Sequence, residues 1–258
     1  MAFKHEMQSS RYELKYWVSE GTAQAIRDFG RAYLAPDDHY IEGTVGYPVH
    51  SLYLDTAELT LYSQTIQGLK NRFKLRIRFY DDEPDSPAFL EVKKRTTNVI
   101  SKERCGISKE GASQLLQGNW PHESTLLDDR VKTQLALQSF CQLRDRVAAV
   151  GAHYVSYSRE AYVSPFSDHV RVTFDRELYG GYYSNGDPLM IPKKQNKISM
   201  PGVILELKFT DRFPGWMGDL VRVFNLERTS VPKYVDCIEA AGLQPSTSSF
   251  GFQQGFNR

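Results

Sequence analysis

The 258-residue chain contains 41% hydrophobic and 24% charged residues, a composition typical of folded globular proteins and not of disordered or fibrous ones. Its formal net charge of +1 gives no general reason to expect nucleic-acid binding, so an anion site would have to arise from a local arrangement of charges. No apolar run approaches the length of about 18 residues that a membrane-spanning helix needs, so the sequence predicts no transmembrane segment of its own.

The cysteines and the N-terminus bear on the compartment. Cys105, Cys141 and Cys237 are far apart and form no CxxC pair, which argues against a disulfide framework and against a structural zinc site. The charged start of the chain, MAFKHEMQSSRYELKYW, has no apolar core and does not resemble a signal peptide. We therefore expect a cytoplasmic protein, with peripheral attachment to a membrane through a partner as the alternative.

In chain order, a few helical patterns alternate with more numerous strand patterns. Period-2 alternation of aromatic and β-branched residues predicts strands, and apolar residues at helical spacing predict helices. The predicted elements are a strand at 11–17, a helix capped by Ser19 and ending near Leu34, strands at 49–55 and 73–80, an acidic loop at 81–87, a strand at 88–95, a helix at about 124–150, strands at 153–163, 170–175 and 203–209, a helix at about 216–226, and a helix that follows Pro232 and ends near Ala241.

These elements predict an α+β fold with a largely antiparallel sheet and helices outside it. We expect a single domain over residues 1–244. The remaining stretch, 245–258, is polar and rich in glycine and serine, which predicts a flexible tail.

The strand at 73–80 has an unusual charged face. Because successive side chains point to opposite faces of a strand, Lys74, Arg76 and Arg78 share one face and apolar side chains occupy the other. Three neighbouring cations repel one another and destabilise the sheet unless an anion lies among them.

Other strands repeat this segregation of charge. The pattern glutamate–apolar–lysine occurs three times, always with an apolar opposite face, and the strand at 170–175 adds a further polar face. The residues concerned are Glu13 and Lys15, Glu91 and Lys93, Glu206 and Lys208, and Arg171, Thr173 and Asp175.

The charged faces have two interpretations. They are either the solvated side of an ordinary half-buried sheet or, if the sheet closes with its apolar faces outward, the lining of a lumen. Arginine suits bidentate phosphate contact, and carboxylates among the cations suit a phosphate and metal site. The second interpretation predicts binding of triphosphate or polyphosphate with Mg²⁺ or Mn²⁺.

Seven motifs in order identify a family that the chain resembles. They are Glu13-Leu-Lys15, SLYLDT at 51–56, KLRIRFY at 74–80, FLEVKKR at 89–95, VRVTFD at 170–175, VILELKF at 203–209 and VPKY at 231–234. In these motifs the chain resembles the VTC domain, the catalytic module of the vacuolar transporter chaperone polyphosphate polymerase, in the CYTH-like superfamily of triphosphate tunnel metalloenzymes. The similarity covers about residues 11–242 and implies a closed eight-stranded antiparallel β-tunnel that holds ATP or polyphosphate along its axis.

The resemblance and the charged faces together define a candidate site. The catalytic residues are expected to be Arg76, Arg78, Lys93, Arg159 and Glu206, with Glu206 as the ligand of Mn²⁺ or Mg²⁺. A further strand, VISKERCGI, is expected around Lys102 and Arg104. The phosphate-binding residues are expected to be Lys15, Lys74, Arg76, Arg78, Lys93, Lys102, Arg104, Arg159, Arg171, Lys208 and Lys233.

The function implied by the resemblance is an ATP-dependent polyphosphate polymerase. Such phosphoryl transfer depends on positioning and charge neutralisation, so it needs no side-chain nucleophile. A metal-dependent triphosphatase is an alternative, although the ExExK pattern of the CYTH branch is incomplete before Lys15. A non-catalytic polyphosphate-binding module of a membrane assembly is another, because Asp236 stands where eukaryotic members of the family have a second lysine.

Individual residues also keep two interpretations. Glu13 and Glu91 are counter-charges that position lysines or are metal ligands, and Asp175 faces the lumen or caps a turn. Lys208 contacts phosphate or pairs with Glu206. Tyr53, Tyr80 and Tyr234 are expected to pack in the wall, and Lys94 is expected to point outward.

Overall fold

The computed structural model describes residues 11–40, 44, 46–97, 99–210 and 212–243. The predicted tail at 245–258 lies outside the described residues. The strands are β1 (Arg11–Val18), β2 (Ala35–Pro36), β3 (Tyr47–Asp55), β4 (Asn71–Phe79), β5 (Ala88–Thr96), β6 (Val99–Ile107), β7 (Val150–Ser164), β8 (Ser167–Tyr182), β9 (Asn196–Lys197) and β10 (Val203–Thr210). The helices are α1 (Glu20–Gly30), α2 (Thr60–Ile66), α3 (Lys109–Leu116), α4 (Val131–Arg146), α5 (Gly215–Val223) and α6 (Lys233–Ala240).

The predicted strands are all present, and β6 occupies the further basic strand expected from the resemblance. Ser19 caps α1 as predicted, its hydroxyl accepting from the backbone N–H of Thr22 at 3.0 Å. The predicted helix at 124–150 is too long. A 3₁₀ turn (Glu123–Thr125) precedes α4, and the left-handed backbone of Ala148 follows it before β7 begins.

Eight long strands form one antiparallel sheet in the order β1-β10-β8-β7-β3-β4-β5-β6, with β2 added to β7 and β9 to β8. The sheet is strongly curved, as shown by the contact between Glu13 on β1 and Lys93 on β5, with 3.1 Å between Oε2 and Nζ. Among the described residues no hydrogen-bonded ladder joins β1 to β6. The closed tunnel therefore stays a prediction, whereas the antiparallel α+β sheet is confirmed.

Helices cover the apolar face of the sheet in two places. α1 and α5 pack on β1, β8 and β10, where Leu205 and Leu207 are buried. α3 and α4 pack on β4, β5 and β6 around Ile77, Leu90 and Phe140. Burial of each such side chain contributes about 2 kcal/mol, so this face supplies stability while the opposite face carries charge.

The prediction that the helices lie outside the sheet is wrong for α6. Tyr234 and Val235 of α6 pack with Val49 and Tyr157, and these two strand residues belong to the charged face of the sheet. The Tyr234 ring also stacks on Tyr53, with 4.6 Å between the ring centroids. α6 thus occupies part of the charged face and brings its first residue, Lys233, into the site.

Two further observations concern the cysteines and the helices. The three cysteines are buried and free. None of the described helices is both long enough and apolar enough to cross a membrane.

Asp55 joins three elements at the end of β3. Its carboxylate accepts hydrogen bonds from the backbone N–H groups of Leu61 (2.8 Å) and Tyr62 (2.9 Å) in α2 and from the hydroxyl of Tyr234 (2.9 Å) in α6. Burial raises the pKa of Asp55, although these hydrogen bonds oppose the rise. One side chain therefore holds α2 and α6 against the sheet.

Replacing Asp55 is expected to destabilise the fold. In Asp55→Ala three buried donors lose their acceptor, and we expect the free energy of unfolding to fall by about 3 kcal/mol. Urea denaturation with an unchanged m-value measures this loss. Asp38→Ala, which removes an exposed carboxylate, is the control and is expected to change the same quantity by less than about 0.5 kcal/mol. A similar small effect of Asp55→Ala would contradict this role.

Candidate functional site

Strand register aligns charged side chains in rows across β4, β5 and β6. The two rows are Lys74–Lys93–Lys102 and Arg76–Glu91–Arg104. The first row consists of cations alone, each directly opposite the next. Like charges in directly opposite positions destabilise a sheet, so this row favours a bound anion.

Glu91 is a buried counter-charge within the second row. Its Oε2 lies 2.6 Å from Nη2 of Arg76 and its Oε1 lies 2.7 Å from Nζ of Lys102. Burial alone would raise the pKa of Glu91, but Arg76, Arg78 and Lys102 outweigh it and hold the pKa far below its usual range. Glu91 therefore stays ionised and fixes Arg76 and Lys102, whereas it makes no ion pair with Lys93 in the described part of the chain.

Glu206 is the centre of a second cluster, on β10. Its Oε1 lies 3.1 Å from the ammonium groups of both Lys15 and Lys233. Its Oε2 lies 2.6 Å from Nζ of Lys208 and 3.3 Å from Nη2 of Arg159. Burial opposes ionisation, yet these four cations hold the pKa of Glu206 well below its usual range.

Asp175 supports the same cluster from β8. Arg159 donates two hydrogen bonds of 2.7 Å to its two carboxylate oxygens, and Nζ of Lys233 lies 2.7 Å from Oδ2. Asp175 therefore lies on the charged face, and the alternative of a turn cap is wrong. The bidentate contact fixes the plane of the Arg159 guanidinium.

Glu13 links the two clusters. Its Oε1 lies 3.2 Å from Nζ of Lys15, and its Oε2 accepts a hydrogen bond of 3.1 Å from Lys93. Both contacts agree with the interpretation of Glu13 as a counter-charge. Lys208 likewise pairs with Glu206. Lys94 points outward, where it contacts Glu103 of β6 and Ser139 of α4.

The structure brings the predicted basic residues to one face of the sheet, while their roles in binding and catalysis stay predictions. Arg171 is the most peripheral of them, bound to Asp37 (2.6 Å) and to the hydroxyl of Tyr47 (3.1 Å). Lys74 and Arg78 have no carboxylate partner among the described residues. The predicted set is Lys15, Lys74, Arg76, Arg78, Lys93, Lys102, Arg104, Arg159, Arg171, Lys208 and Lys233.

Two tyrosines belong to the site beyond their role in wall packing. The hydroxyl of Tyr53 accepts from Nη1 of Arg76 at 3.0 Å, and the hydroxyl of Tyr157 accepts from Nη2 of Arg78 at 3.2 Å. Period-2 alternation placed Tyr53 on one face of its strand, but no sequence signal showed that this face is the charged one. Asp37 had no signal, because it follows β2, a strand of two residues.

Three lysines of the site have lowered pKa values. Burial is the main cause and brings the pKa to about 8 for Lys74, about 7 for Lys102 and about 8 for Lys208. Neighbouring cations add to the effect. Because a bound anion favours the charged form, these lysines are expected to take up protons when phosphate binds.

The donor groups limit how a metal could bind. Within the described residues no group of three or more histidine, cysteine or carboxylate side chains is placed to hold a metal ion. Both oxygens of Glu206 already contact cations, so a divalent ion alone does not fit there. Mg²⁺ is commonly held by one or two carboxylates together with substrate phosphates, and Glu206 fits that mode once a phosphate chain supplies negative charge.

Several known proteins are similar to this chain. The VTC domain family matches residues 10–241. "Vacuolar transporter chaperone complex subunit 4" of Trypanosoma cruzi (strain CL Brener) is 21% identical over 263 residues, which cover 87% of this chain and 33% of that protein, so the chain spans a third of this relative's length. A crystal structure of a putative adenylate cyclase from Bacillus halodurans is 16% identical and aligns with a TM-score of 0.47 over 87% of this chain and 95% of that one.

The lowered lysine pKa values predict how anion affinity depends on pH. As pH rises through about 7 and about 8, Lys102 and then Lys74 and Lys208 lose protons, and the site loses positive charge. We expect the affinity for tripolyphosphate, measured calorimetrically, to fall between pH 6.5 and pH 9. For each unit by which binding raises the pKa of one of these lysines, the expected fall is about tenfold.

The arginine variant Lys74→Arg/Lys102→Arg is the matched control, because arginine keeps its charge across this range. Its affinity is expected to fall less with pH than that of the unchanged protein. Tripolyphosphate itself gains and loses protons in the same way with both proteins, so its own titration does not affect the comparison. Identical pH profiles would exclude these two lysines as the source.

Proposed function

This chain belongs to the VTC domain family, and from that premise we propose that it is an ATP-dependent polyphosphate polymerase that uses the charged face as its active site. The observation that carries the proposal is the row Lys74–Lys93–Lys102, three cations in register. Lys93 and Lys102 pair with carboxylates outside the row, and Lys74 has no carboxylate partner in the described part of the chain. A linear chain of phosphates carries the regularly spaced negative charge that such a row lacks.

We take the sheet to close along β1 and β6 into an eight-stranded tunnel around this face. The contact between Glu13 and Lys93 supports closure, because it joins the first strand of the sheet to the next-to-last one. Glu206 and Asp175 then hold one side of the lumen and Glu91 the other. The substrate would be surrounded by fixed cations and shielded from bulk water.

In the proposed reaction, a terminal oxygen of the polyphosphate chain attacks the γ-phosphorus of ATP. A bond forms between that oxygen and the γ-phosphorus, the bond from the γ-phosphorus to the β–γ bridging oxygen breaks, and ADP leaves with the electron pair. Arg76, Arg78 and Arg159 neutralise and align the phosphates, and Lys93 holds the chain end. No side chain has to act as the nucleophile, because the chain end is itself an oxyanion.

The carboxylates prepare the site before substrate arrives. Asp175 fixes the plane of Arg159 with two hydrogen bonds. Glu91 holds Arg76 through one carboxylate oxygen, Oε2, which accepts from Nε at 2.7 Å and lies 2.6 Å from Nη2. Cations that are already oriented need little reorganisation during the reaction, which is the main source of electrostatic catalysis. Glu206 is shared by several cations and would also be the carboxylate that holds Mn²⁺ or Mg²⁺. Such an ion would supply charge neutralisation to the bound phosphates.

A non-catalytic polyphosphate-binding module is the second candidate. Asp236 of α6 lies near enough to Lys233, Lys74 and Lys15 for these cations to lower its pKa, although burial and Glu239 raise it overall. A carboxylate at this position weakens the hold on phosphate. The third candidate, a triphosphatase, requires a group positioned to activate water, and the carboxylates of the described site are occupied by cations.

The partners that we propose are ATP, inorganic polyphosphate and a membrane protein of the same assembly, with no nucleic acid. The relative from Trypanosoma cruzi is named as a subunit of a complex, which supports a larger assembly here. On this proposal the chain acts in the cytoplasm, attached to the membrane through its partner.

The polymerase is tested with purified protein, ATP and Mn²⁺, with and without a short polyphosphate primer. We expect long chains on a gel and one ADP for each phosphate added. Arg78→Gln is the informative variant because Arg78 has no carboxylate partner in the described part of the chain, so its loss leaves no unpaired carboxylate. Its rate is expected to fall by about a hundredfold or more.

Lys94→Gln is the matched control, since Lys94 follows Lys93 in β5 but contacts α4 on the opposite face. Its rate is expected to stay within about twofold of the unchanged protein. Free phosphate without chain growth would support the triphosphatase. Tight polyphosphate binding without turnover would support the binding module.

Metal binding is expected to depend on phosphate. In equilibrium dialysis the protein alone should retain little Mn²⁺, because four cations already surround Glu206. With saturating tripolyphosphate it should retain more Mn²⁺ than the same amount of free tripolyphosphate does, and Glu206→Gln should lose this excess while still binding phosphate. Stoichiometric retention of Mn²⁺ without phosphate would contradict the arrangement.

A further inference from the structure

The charged face extends beyond the predicted site. Arg72 on β4 lies directly opposite Arg95 on β5. Arg72 and Lys74 are two residues apart, as are Lys93 and Arg95, so their backbone positions place all four on the same face of the sheet. The two arginines lie one row further from the loop that connects β4 to β5. Neither belongs to the predicted set of phosphate-binding residues, although Arg95 is the last residue of the motif FLEVKKR.

These two arginines have no counter-charge among the residues that the structure describes. In the described part of the chain, Arg72 donates to the carbonyl of Leu69 and Arg95 to the carbonyl of Thr97 at 3.0 Å, and neither contacts a carboxylate. Directly opposite cations repel each other and weaken the sheet. Arg72 is half-buried, so its charge is less screened by water than that of a fully exposed side chain.

We propose that Arg72 and Arg95 form an outer phosphate subsite, which binds the part of a long polyphosphate chain that extends past Lys74 and Lys93. The proposal rests on the proposed function, because it requires that the charged face binds phosphate chains. It adds to that function a preference for chain length.

The distance along the strand explains this preference. Arg76 and Arg72 are four residues apart on β4, which corresponds to about 13 Å at the rise of an extended strand. This exceeds the length of a linear triphosphate. A triphosphate held by Arg76 and Arg78, on the side of β4 away from Arg72, therefore does not reach the outer subsite, whereas a long chain contacts both.

The subsite is also limited in width. The next strand of the same row contributes Ile100 opposite Arg95, an exposed apolar side chain without charge. The cationic track therefore narrows from three strands at Lys74–Lys93–Lys102 to the two strands β4 and β5. A single phosphate chain, and not a second one beside it, matches this width.

The test compares two ligands and two variants, with a third variant, Arg72→Lys/Arg95→Lys, to restore the charge. Affinities for tripolyphosphate and for a long-chain polyphosphate are measured at several salt concentrations in the full chain, in Arg72→Gln/Arg95→Gln and in Arg31→Gln. Arg31 is an exposed arginine that directly follows α1 and is paired with Asp28, so it controls for the loss of a positive charge elsewhere. Thermal unfolding confirms that all four proteins are folded.

We expect the double variant to bind the long chain about tenfold less tightly and tripolyphosphate unchanged within about twofold. Its slope of log affinity on log salt for the long chain should be shallower by about one for each lost contact. Arg72→Lys/Arg95→Lys should restore most of the affinity, because it keeps the charge. Arg31→Gln should change neither affinity.

Equal losses for both ligands, or for neither, would overturn the outer subsite while leaving the proposed function intact. Failure of the unchanged protein to bind either ligand would overturn both. A loss for the long chain that also occurs in Arg31→Gln would show a general effect of net charge, which likewise excludes a specific subsite.

Discussion

The carboxylate of Glu206 is the interaction on which the site depends, because four separate elements meet there. β1 contributes Lys15, β7 Arg159, β10 Lys208 and α6 Lys233. Taking these charges out of water is unfavourable, and removal of the shared anion would leave several cations buried together. Glu206 therefore helps to stabilise both the curvature of the sheet and the position of α6 on its charged face.

The site also contains more positive charge than its carboxylates balance. Glu91 and Glu206 stay ionised across the physiological range because the surrounding cations hold their pKa values low. Lys74 and Arg78 lack such partners in the described part of the chain. The apolar face under α1, α3, α4 and α5 supplies the burial that offsets this repulsion, so stability and charge are assigned to opposite faces of the same strands.

Much of this arrangement could be predicted from alternation alone. The rule that neighbouring side chains point to opposite faces placed Lys74, Arg76 and Arg78 together without any structure. The pairing of Glu91 with Arg76 and not with Lys93 required the strand register and the side-chain directions, which one sequence does not contain. The position of α6 was missed because an amphipathic helix shows that one side is buried but not which surface covers it.

Short elements and long-range contacts account for the other differences. α2 and α3 are too short to show a clear helical period. The backbone N–H of Leu61, near the start of α2, donates to the carboxylate of Asp55, which lies five residues before the helix. The contact between Asp37 and Arg171 joins residues far apart in sequence.

The position of β6 at the end of the strand order has a consequence for self-association. Until β6 pairs with β1 in the proposed tunnel, it is an edge strand that offers unpaired backbone groups to another copy of the chain, and charged side chains are a common protection against such pairing. The segment 125–127 covers only the Ile107 end of β6. Over the rest of the strand, Lys102, Glu103 and Arg104 are consecutive. The same cations that suit phosphate thus also discourage aggregation at this edge, so selection for solubility and selection for ligand binding act on the same positions.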